Sequence, residues 1–351
     1  MKVLITGIGG MVASHLADLL LENGEEVYGT YRWTEDLSNI EHIKDKIHLV
    51  PMDLNDAWSC LKVIEDIRPD AISHLAAQSY VSDSFIYPAE TIRTNTLGTL
   101  NLLEACRIVR DKDSTAYDLS NGTPLKYYFN PVIHVCSSSE VYGLVEEKDI
   151  PIKETQPFNP SNPYAVGKVG EDMLALLYFT NYGLKTIRTR MFTHTGPRRK
   201  MLSAEVNFAK QIAEIEKEYK KSKAEAGDNY FGAAYELQHG NLDSVRTWAD
   251  ARDAVKAYYM ILKRGIGIGK VYNIGGNTTK TVGEMLHYML SISNCKEVIV
   301  PKLSQKLLRP YDVTLQIPDC SAFKEDYPEW QPLYTFEETI SSVLDAWRLR
   351  V

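Results

Sequence analysis

Short apolar runs alternate with segments of helical periodicity through the first 191 residues. The runs predict six strands, at residues 2–6, 26–30, 47–52, 71–75, 131–136 and 186–191. The periodic segments between them predict helices at residues 11–22, 58–67, 90–110 and 164–182. Apolar strands that alternate with helices are typical of a parallel sheet covered on both faces, so the pattern predicts a doubly wound α/β fold.

The alternation breaks after residue 191. A polar helix near 205–225 and a strand at 270–275 are predicted, and 278–345 is a small helical, loop-rich unit. We expect a larger domain of residues 1–191, to which 241–276 returns. A smaller, mixed C-terminal domain would comprise 192–240 and 277–345. Two polar, aperiodic stretches predict surface insertions, at 111–130 and 214–237.

Composition excludes several classes of protein. The 351 residues are 44% hydrophobic and 24% charged, which is globular rather than disordered, and the net charge of −7 argues against non-specific nucleic-acid binding. Five scattered cysteines without a CxxC pair disfavour a disulfide framework or a metal site. No apolar run reaches the roughly 18 residues of a membrane span, and the start does not resemble a signal peptide. We expect a soluble, cytoplasmic protein that binds neither membrane nor metal.

A glycine-rich turn follows the first predicted strand. Gly7, Gly10 and Ala13 have GxxGxxA spacing, directly before a helix that begins near Met11 and Val12. Glycines there allow a tight turn and bring backbone N–H groups and the helix N-terminus towards a pyrophosphate. The context predicts a dinucleotide-binding (Rossmann) domain.

The ends of the next two strands bear on the choice of cofactor. Arg32 follows the second strand, and no acid precedes Glu35. Since a base there accommodates a 2′-phosphate and an acid binds a 2′-hydroxyl, NADP is favoured over NAD. Asp53 follows the third strand, where it either meets the adenine amino group or caps a turn.

Two polar motifs predict a catalytic centre. Tyr164 and Lys168 lie four residues apart on one helix face, so the ammonium would lower the pKa of the phenol and make it a general base. The fifth strand ends in three serines, including Ser138, followed by Glu140. A carboxylate there is able to remove a C–H proton next to a carbonyl; a turn carboxylate or a salt bridge is the alternative.

These motifs together resemble the extended short-chain dehydrogenase/reductase superfamily. LAAQS at 75–79 and Asn95 within NTLGT belong to the same pattern. Three further stretches resemble the GDP-mannose 4,6-dehydratases and the related GDP-4-keto-6-deoxymannose reductases: FTHTGPRR (192–199), GNLDSVRTWADARDAV (240–255) and LRPYDVTLQIPD (308–319). The segment GTYRWTEDLSNIEHI is similar to a dehydratase loop that helps to bind NADP and packs against a neighbouring subunit.

The resemblance implies a role for individual residues. Ser138 would be the catalytic hydroxyl and Glu140 the base, with Tyr164 and Lys168 completing the site. Further cofactor contacts are implied at Leu54, Leu75, Ala76, Ala77 and His194, and Tyr164 and Lys168 would contact the cofactor as well. Arg246 and Arg309 would hold the diphosphate of a nucleotide sugar, and further substrate contacts are implied at Ser79, Ser138, Thr193, Lys210 and Asn241.

The implied reaction is conversion of a GDP-mannose-type hexose or heptose to its 4-keto-6-deoxy product, with NADP⁺ as a bound hydride carrier. The family usually has Asn where this chain has Thr193, and residues 194–199 read HTGPRR instead of HESPRR. HTGP is closer to the reductases, so NADPH-dependent reduction of a GDP-4-keto-6-deoxy sugar is the alternative. A non-catalytic NADP-sensing protein is the third candidate function. The resemblance also implies a homodimer or homotetramer formed through the helices near 90–110 and 164–182.

Overall fold

The computed structural model describes residues 1–114, 128–200, 203–226, 234–308 and 313–351. Its helices are α1 (Met11–Glu22), α2 (Ala57–Ile67), α3 (Val81–Ile86), α4 (Pro88–Ile92), α5 (Gly98–Ser114), α6 (Pro163–Tyr182), α7 (Ala204–Ala226), α8 (Ala251–Arg264), α9 (Val282–Ser291), α10 (Ser321–Asp326) and α11 (Phe336–Arg348). Its strands are β1 (Lys2–Thr6), β2 (Glu26–Tyr31), β3 (His48–Pro51), β4 (Ala71–His74), β5 (Val132–Ser138), β6 (Lys185–Met191), β7 (His194–Thr195), β8 (Tyr235–His239), β9 (Val245–Asp250), β10 (Val271–Ile274), β11 (Thr278–Thr281), β12 (Ile299–Leu303) and β13 (Leu315–Gln316).

Seven strands form the main sheet, in the order β3-β2-β1-β4-β5-β6-β10, and all neighbours are parallel. This confirms the predicted doubly wound fold and the return of the chain to the sheet near residue 271. The strand order reverses between β1 and β4. In open sheets of this kind, ligands bind beyond the carboxyl ends of the strands at the reversal. We therefore expect the ligand site at the carboxyl ends of β1 and β4.

Alternate side chains of β1 enter two different cores. Val3 and Ile5 pack with α1, α8 and α10, while Leu4 packs with α2, α5 and α6. All three side chains are completely buried. Helices therefore cover both faces of the sheet, which is why its strands are continuously apolar rather than alternating.

A second layer lies beyond β6. Strand β9 pairs with β7, β11 and β13, and β8 pairs with β12. Helices α7, α9 and α11 build a separate apolar core around Trp248, Met285 and Ile340. Two details differ from the expected boundaries. Strand β9, within 241–276, joins this second layer, and α10, within 277–345, packs on the main sheet through Phe323.

The predicted insertion at 214–237 is wrong at both ends, and 227–233 lies outside the described residues. Residues 214–226 continue α7, and 235–239 form β8. The stretch is rich in Glu, Lys and Ala, which have high helix propensity even without an apolar stripe. Of the other predicted insertion, 115–127 lies outside the described residues. In the described ranges no helix is both long and apolar enough to cross a membrane.

Candidate functional site

The glycine-rich turn lies at the carboxyl end of β1. Gly7 has φ +71°, and a Cβ there would lie 2.9 Å from Ala76 Cα, so glycine is required for both conformation and space. Gly10 caps α1 with extended backbone and without a side-chain hydrogen bond. The first N–H groups of α1, from Met11 and Val12 onwards, are thus left without a side-chain cap, which is the donor set that a pyrophosphate uses.

The end of β4 packs against this turn. The Thr6 hydroxyl accepts hydrogen bonds from the N–H groups of Leu75 and Ala76, each at 3.0 Å. The Asn95 amide fixes the following residues by bonding both the N–H and the C=O of Gln78. The structure therefore brings the predicted segment 75–77 and the glycine turn together at the strand reversal, with Ser79 exposed just beyond it.

An acid lies beside the glycine turn, where the sequence offered only a base. Arg32 is exposed, and its N–H donates to Glu35 Oε2 at 3.2 Å. The Glu35 carboxylate also accepts from the Gly9 N–H. Burial raises the pKa of Glu35, and these hydrogen bonds and Arg32 oppose the rise. Arg32 and Glu35 thus form one polar turn of mixed charge after β2.

Asp53 and Leu54 follow β3. Asp53 is exposed, and its Oδ1 accepts from the Asn55 N–H at 2.9 Å, which is the turn interpretation of this residue. The helix cap is instead Asp56, which accepts from the Trp58 N–H at 3.0 Å. Leu54 is buried. An adenine contact by Asp53 stays a prediction.

Three of the predicted catalytic residues meet at the end of β5. The Tyr164 hydroxyl is hydrogen-bonded to the Ser138 side chain. Ser138 Oγ also accepts from the Glu140 N–H at 3.2 Å, which caps the short turn Ser139–Tyr142. The strand end and the start of α6 therefore converge, as their spacing predicts.

Two residues that the sequence did not single out hold the Glu140 carboxylate. The Asn162 amide donates to Oε2 at 3.0 Å, and the Gln316 amide donates to Oε1 at 3.2 Å. Asn162 precedes α6 and caps it through the Ala165 N–H, while Gln316 lies on β13. Both donors are neutral, so they orient the carboxylate without forming the salt bridge that was its alternative interpretation.

Lys168 lies beneath the same centre. Its ammonium donates to Cys136 O and to Glu171 Oε2, each at 2.7 Å. Burial raises the pKa of Tyr164 above its ordinary value, and Lys168 and Ser138 offset this only in part. The predicted net lowering of that pKa is therefore wrong for this structure, because the phenol is buried more deeply than its spacing from Lys168 reveals.

Comparison with known proteins shows the family of this chain. The family model described as GDP-mannose 4,6 dehydratase matches residues 4–343. The chain belongs to the GDP-mannose 4,6-dehydratase family. It is 31% identical to a GDP-mannose 4,6-dehydratase of Yersinia enterocolitica over 377 residues, covering 98% of this chain and 92% of the relative.

A reductase is also among the relatives of this dehydratase family member. The GDP-6-deoxy-D-mannose reductase of Pseudomonas aeruginosa is 28% identical over 356 residues, covering 100% of this chain and 98% of the relative. The solved structure of RMD from Pseudomonas aeruginosa complexed with NADPH superposes with a TM-score of 0.73 at 26% identity, and covers 100% of both chains.

Two of the residues that the family resemblance assigned to the substrate, Ser79 and Ser138, lie beyond β4 and at the end of β5, and the other described ones lie along the second layer. Thr193 O accepts from the Ala249 N–H at 2.9 Å, next to β7 and β9. Arg246 lies on β9, where its guanidinium donates to Val245 O at 3.0 Å, and the Asn241 amide donates to Ser244 Oγ at 3.1 Å. Lys210 lies on α7, 3.8 Å from Glu214. Arg309 lies outside the described residues.

His194 begins β7. Burial, together with Arg199, lowers its pKa to about 4, so the imidazole is neutral at physiological pH. Its Nδ1 lies 3.2 Å from Phe192 O. A neutral ring is compatible with the predicted cofactor contact, which stays a prediction.

Proposed function

We propose that the protein eliminates water from a GDP-mannose-type sugar, giving the 4-keto-6-deoxy product. The observation that carries the proposal is the oriented carboxylate of Glu140, which lies two residues beyond the Ser138–Tyr164 pair with both oxygens held by amides. Hydride transfer alone requires the hydroxyl and the phenol. An additional oriented carboxylate suits removal of a carbon-bound proton.

Each side chain has a distinct role in the proposed reaction. Tyr164 takes the proton of the sugar 4-hydroxyl, and Ser138 hydrogen-bonds that oxygen. The 4-keto group then acidifies the C5 proton. Glu140 removes this proton and transfers it to the departing 6-hydroxyl, which leaves as water. Reduction at C6 requires a proton at C5, and the proton that Tyr164 took from the 4-hydroxyl balances it, so the sugar loses one water overall.

The glycine turn would hold a nicotinamide dinucleotide. The Gly7 approach to Ala76 and the uncapped start of α1 fit a pyrophosphate. The family resemblance assigns Tyr164 and Lys168 to the same cofactor. The chemistry that a bound nicotinamide supplies is storage of hydride between C4 and C6 of the sugar. Leu75, Ala76, Ala77 and Leu54 would line the remainder of this groove.

NADP is the form of the cofactor that we propose. Arg32 is exposed after β2, and a guanidinium suits phosphate oxygens. The Pseudomonas aeruginosa RMD structure, at 26% identity, contains NADPH. Glu35 lies in the same turn and opposes a 2′-phosphate, so the selectivity of this site would be the balance of Arg32 and Glu35.

The nucleotide sugar would extend from Glu140 across the second layer. Arg246 is the described guanidinium that the resemblance assigns to the diphosphate, and Arg309 is its proposed counterpart. Ser79, Thr193, Lys210 and Asn241 complete the proposed set. Guanine as the base rests on the relatives, which are named for GDP-sugars.

Reduction of a GDP-4-keto-6-deoxy sugar is the second candidate, favoured by the HTGP sequence and by the 28% identical reductase. Incubating the purified protein with GDP-mannose and no added reductant separates the candidates by mass spectrometry. Formation of a dehydrated 4-keto sugar supports the dehydratase. Turnover only of a keto sugar with NADPH supports the reductase, and binding without any turnover would leave an NADP sensor.

A second copy of this chain would cover an apolar surface on the helices flanking the site. Val166, Met173 and Leu177 recur along one side of α6, and each is more than a third exposed. Leu97 and Ile108 are exposed on or next to α5. We therefore propose a homodimer through α5 and α6, with a tetramer as its doubled form, which sedimentation equilibrium tests directly.

A cytoplasmic location is also proposed. The five cysteines are free, as is usual for proteins of a reducing compartment.

A further inference from the structure

A buried carboxylate is paired with Lys168. Glu171 lies one helical turn further along α6, and its Oε2 accepts from the Lys168 ammonium at 2.7 Å. The two side chains are 1% and 5% exposed. Lys168 also donates to Cys136 O, which leaves one of its three N–H groups for the site.

An ammonium at this depth requires a counter-charge. Burial lowers the pKa of Lys168, but Glu171 and Tyr164 outweigh burial, so the net pKa of Lys168 lies above its ordinary value. Burial also raises the pKa of Glu171 to about 7, and Lys168 opposes this rise, so Glu171 carries its charge in the alkaline range where Lys168 titrates. Without an anion, buried lysines lose their proton readily. The positive charge of Lys168 beside Tyr164 therefore depends on Glu171, which is hydrogen-bonded to Lys168.

Other titratable groups around the pair do not replace Glu171. Both oxygens of Asp172 are engaged by Arg188 and Arg190. Burial and Lys168 lower the pKa of His74 and of His134 to about 3, so both imidazoles are neutral. Cys136 and Tyr258 complete the surroundings, and burial raises the pKa of both groups, which keeps them uncharged.

One oxygen of Glu171 adds a second observation. Oε1 is buried and has no hydrogen-bond partner among the described residues. A carboxylate serving only to stabilise the fold would have both oxygens satisfied, since unpaired buried polar atoms are costly. Lys168 is therefore the hydrogen-bond donor that the described residues offer to the Glu171 carboxylate.

We propose that Glu171 is a positioning residue that acts through Lys168, fixing the ammonium beside Cys136 O and keeping it charged while Tyr164 exchanges its proton. The consequence for catalysis rests on the proposed function, because it requires Tyr164 to be the base. The consequence for Lys168 itself does not. Glu171 would thereby determine the alkaline limit of activity.

The decisive measurement is an NMR titration of Lys168 in protein with ¹³C-labelled lysine side chains, the signal being assigned by its absence from K168M. In E171Q the pKa of Lys168 should fall by about 1–3 units, the range typical of losing an opposite charge within about 4–6 Å. The alkaline limb of the kcat/KM profile should move down by the same amount. E171D keeps the charge and should restore part of the shift.

Glu25→Gln is the matched control, because Glu25 is a buried carboxylate that binds Met1 and Lys263 at the amino end of β2, away from the strand ends that form the site. It should lower stability without moving the Lys168 titration. Coincident Lys168 titrations of E171Q and wild type would overturn the proposal. If E171Q does not fold, the wild-type protein decides, since a Lys168 pKa below that of an exposed lysine would contradict it. The titration needs no turnover, so its result is separate from the fate of the dehydratase proposal.

Discussion

Asn162 donates a hydrogen bond to Glu140, with 3.0 Å between Nδ2 and Oε2, while its own Oδ1 caps α6. One side chain thus connects the proposed C5 base to the helix that begins with Pro163 and Tyr164. The relative placement of base and phenol consequently depends on a helix cap.

Replacing Asn162 with Ser separates its two tasks. Serine is a good N-cap, so α6 should remain stable, but it lacks an amide to reach Glu140. Loss of a hydrogen bond to a charged group costs about 1.5–3 kcal/mol. We therefore expect kcat for dehydration to fall about 10–100-fold with little change in melting temperature. A large fall in melting temperature with unchanged kcat would assign Asn162 to capping alone.

Glu140→Gln tests the base itself. Glutamine keeps the size and one acceptor but cannot take a proton, so dehydration should fall by at least the roughly 10²–10⁴-fold typical of a lost general base. Exchange of the C5 proton with deuterated solvent should stop, while release of the 4-hydroxyl proton to Tyr164 remains possible. NMR of the recovered sugar measures the exchange at C5. Full water elimination by this variant would remove Glu140 from the mechanism and would require another base for the C5 proton.

The sequence predicts the main sheet well because each βα unit carries its own signals. The glycine turn, the strand end at Ser138 and the pair Tyr164–Lys168 lie within short segments. The polar contacts of Glu140 were missed because Gln316 is 176 positions away and comes from another sheet. The sequence assigns no role to Glu35, since its hydrogen bond with the Gly9 N–H is a tertiary contact.

Burial was the other quantity that spacing could not supply. A lysine four residues from a tyrosine lowers the phenol pKa only where its attraction for the phenolate outweighs the cost of burying that charge. Glu171 is visible as an acid three residues after Lys168, but that spacing is equally common on solvated helix faces. Its exposure of 1% distinguishes the two cases and is a property of the packed molecule.

Two buried histidines predict how stability depends on pH. His134 bonds Ser73 and Thr189, and burial lowers its pKa to about 3, compared with about 6.5 when unfolded. The unfolded chain therefore binds more protons below pH 6.5, so stability present at neutral pH is lost as the pH falls. Burial likewise lowers the pKa of His74 to about 3, so His74 has the same effect on stability. Each histidine should contribute a slope of about 1.4 kcal/mol per pH unit.

His134→Gln should accordingly reduce the slope of unfolding free energy between about pH 6 and 4.5 by roughly one such unit. Urea denaturation at several pH values measures it. Exposed His287, replaced by Gln, controls for the substitution itself. Equal slopes for wild type and His134→Gln would show that His134 is not held neutral.

Arg32→Gln probes the base that favours NADP. A guanidinium contact with a phosphate is a charge-assisted hydrogen bond, so its loss should weaken NADP binding about 10–100-fold. NAD has no 2′-phosphate, and its affinity should change little. Calorimetric titration with both cofactors measures the difference. Equal losses for the two would assign Arg32 to the surface or to a subunit contact.

Glu35→Gln should strengthen NADP binding. The Glu35 carboxylate accepts a hydrogen bond from the Gly9 N–H and belongs to the same turn as Arg32. Removing a negative charge from this turn should tighten NADP binding about two- to five-fold, the scale of a partly solvated charge interaction. NAD affinity should stay constant or fall, since its 2′-hydroxyl loses an acceptor. Burial raises the pKa of Glu35, so the difference between wild type and variant should shrink as the pH is lowered and the carboxyl becomes neutral in both. A variant that binds NADP more weakly than wild type would mean that Glu35 supports the turn that presents Arg32, rather than opposing the phosphate.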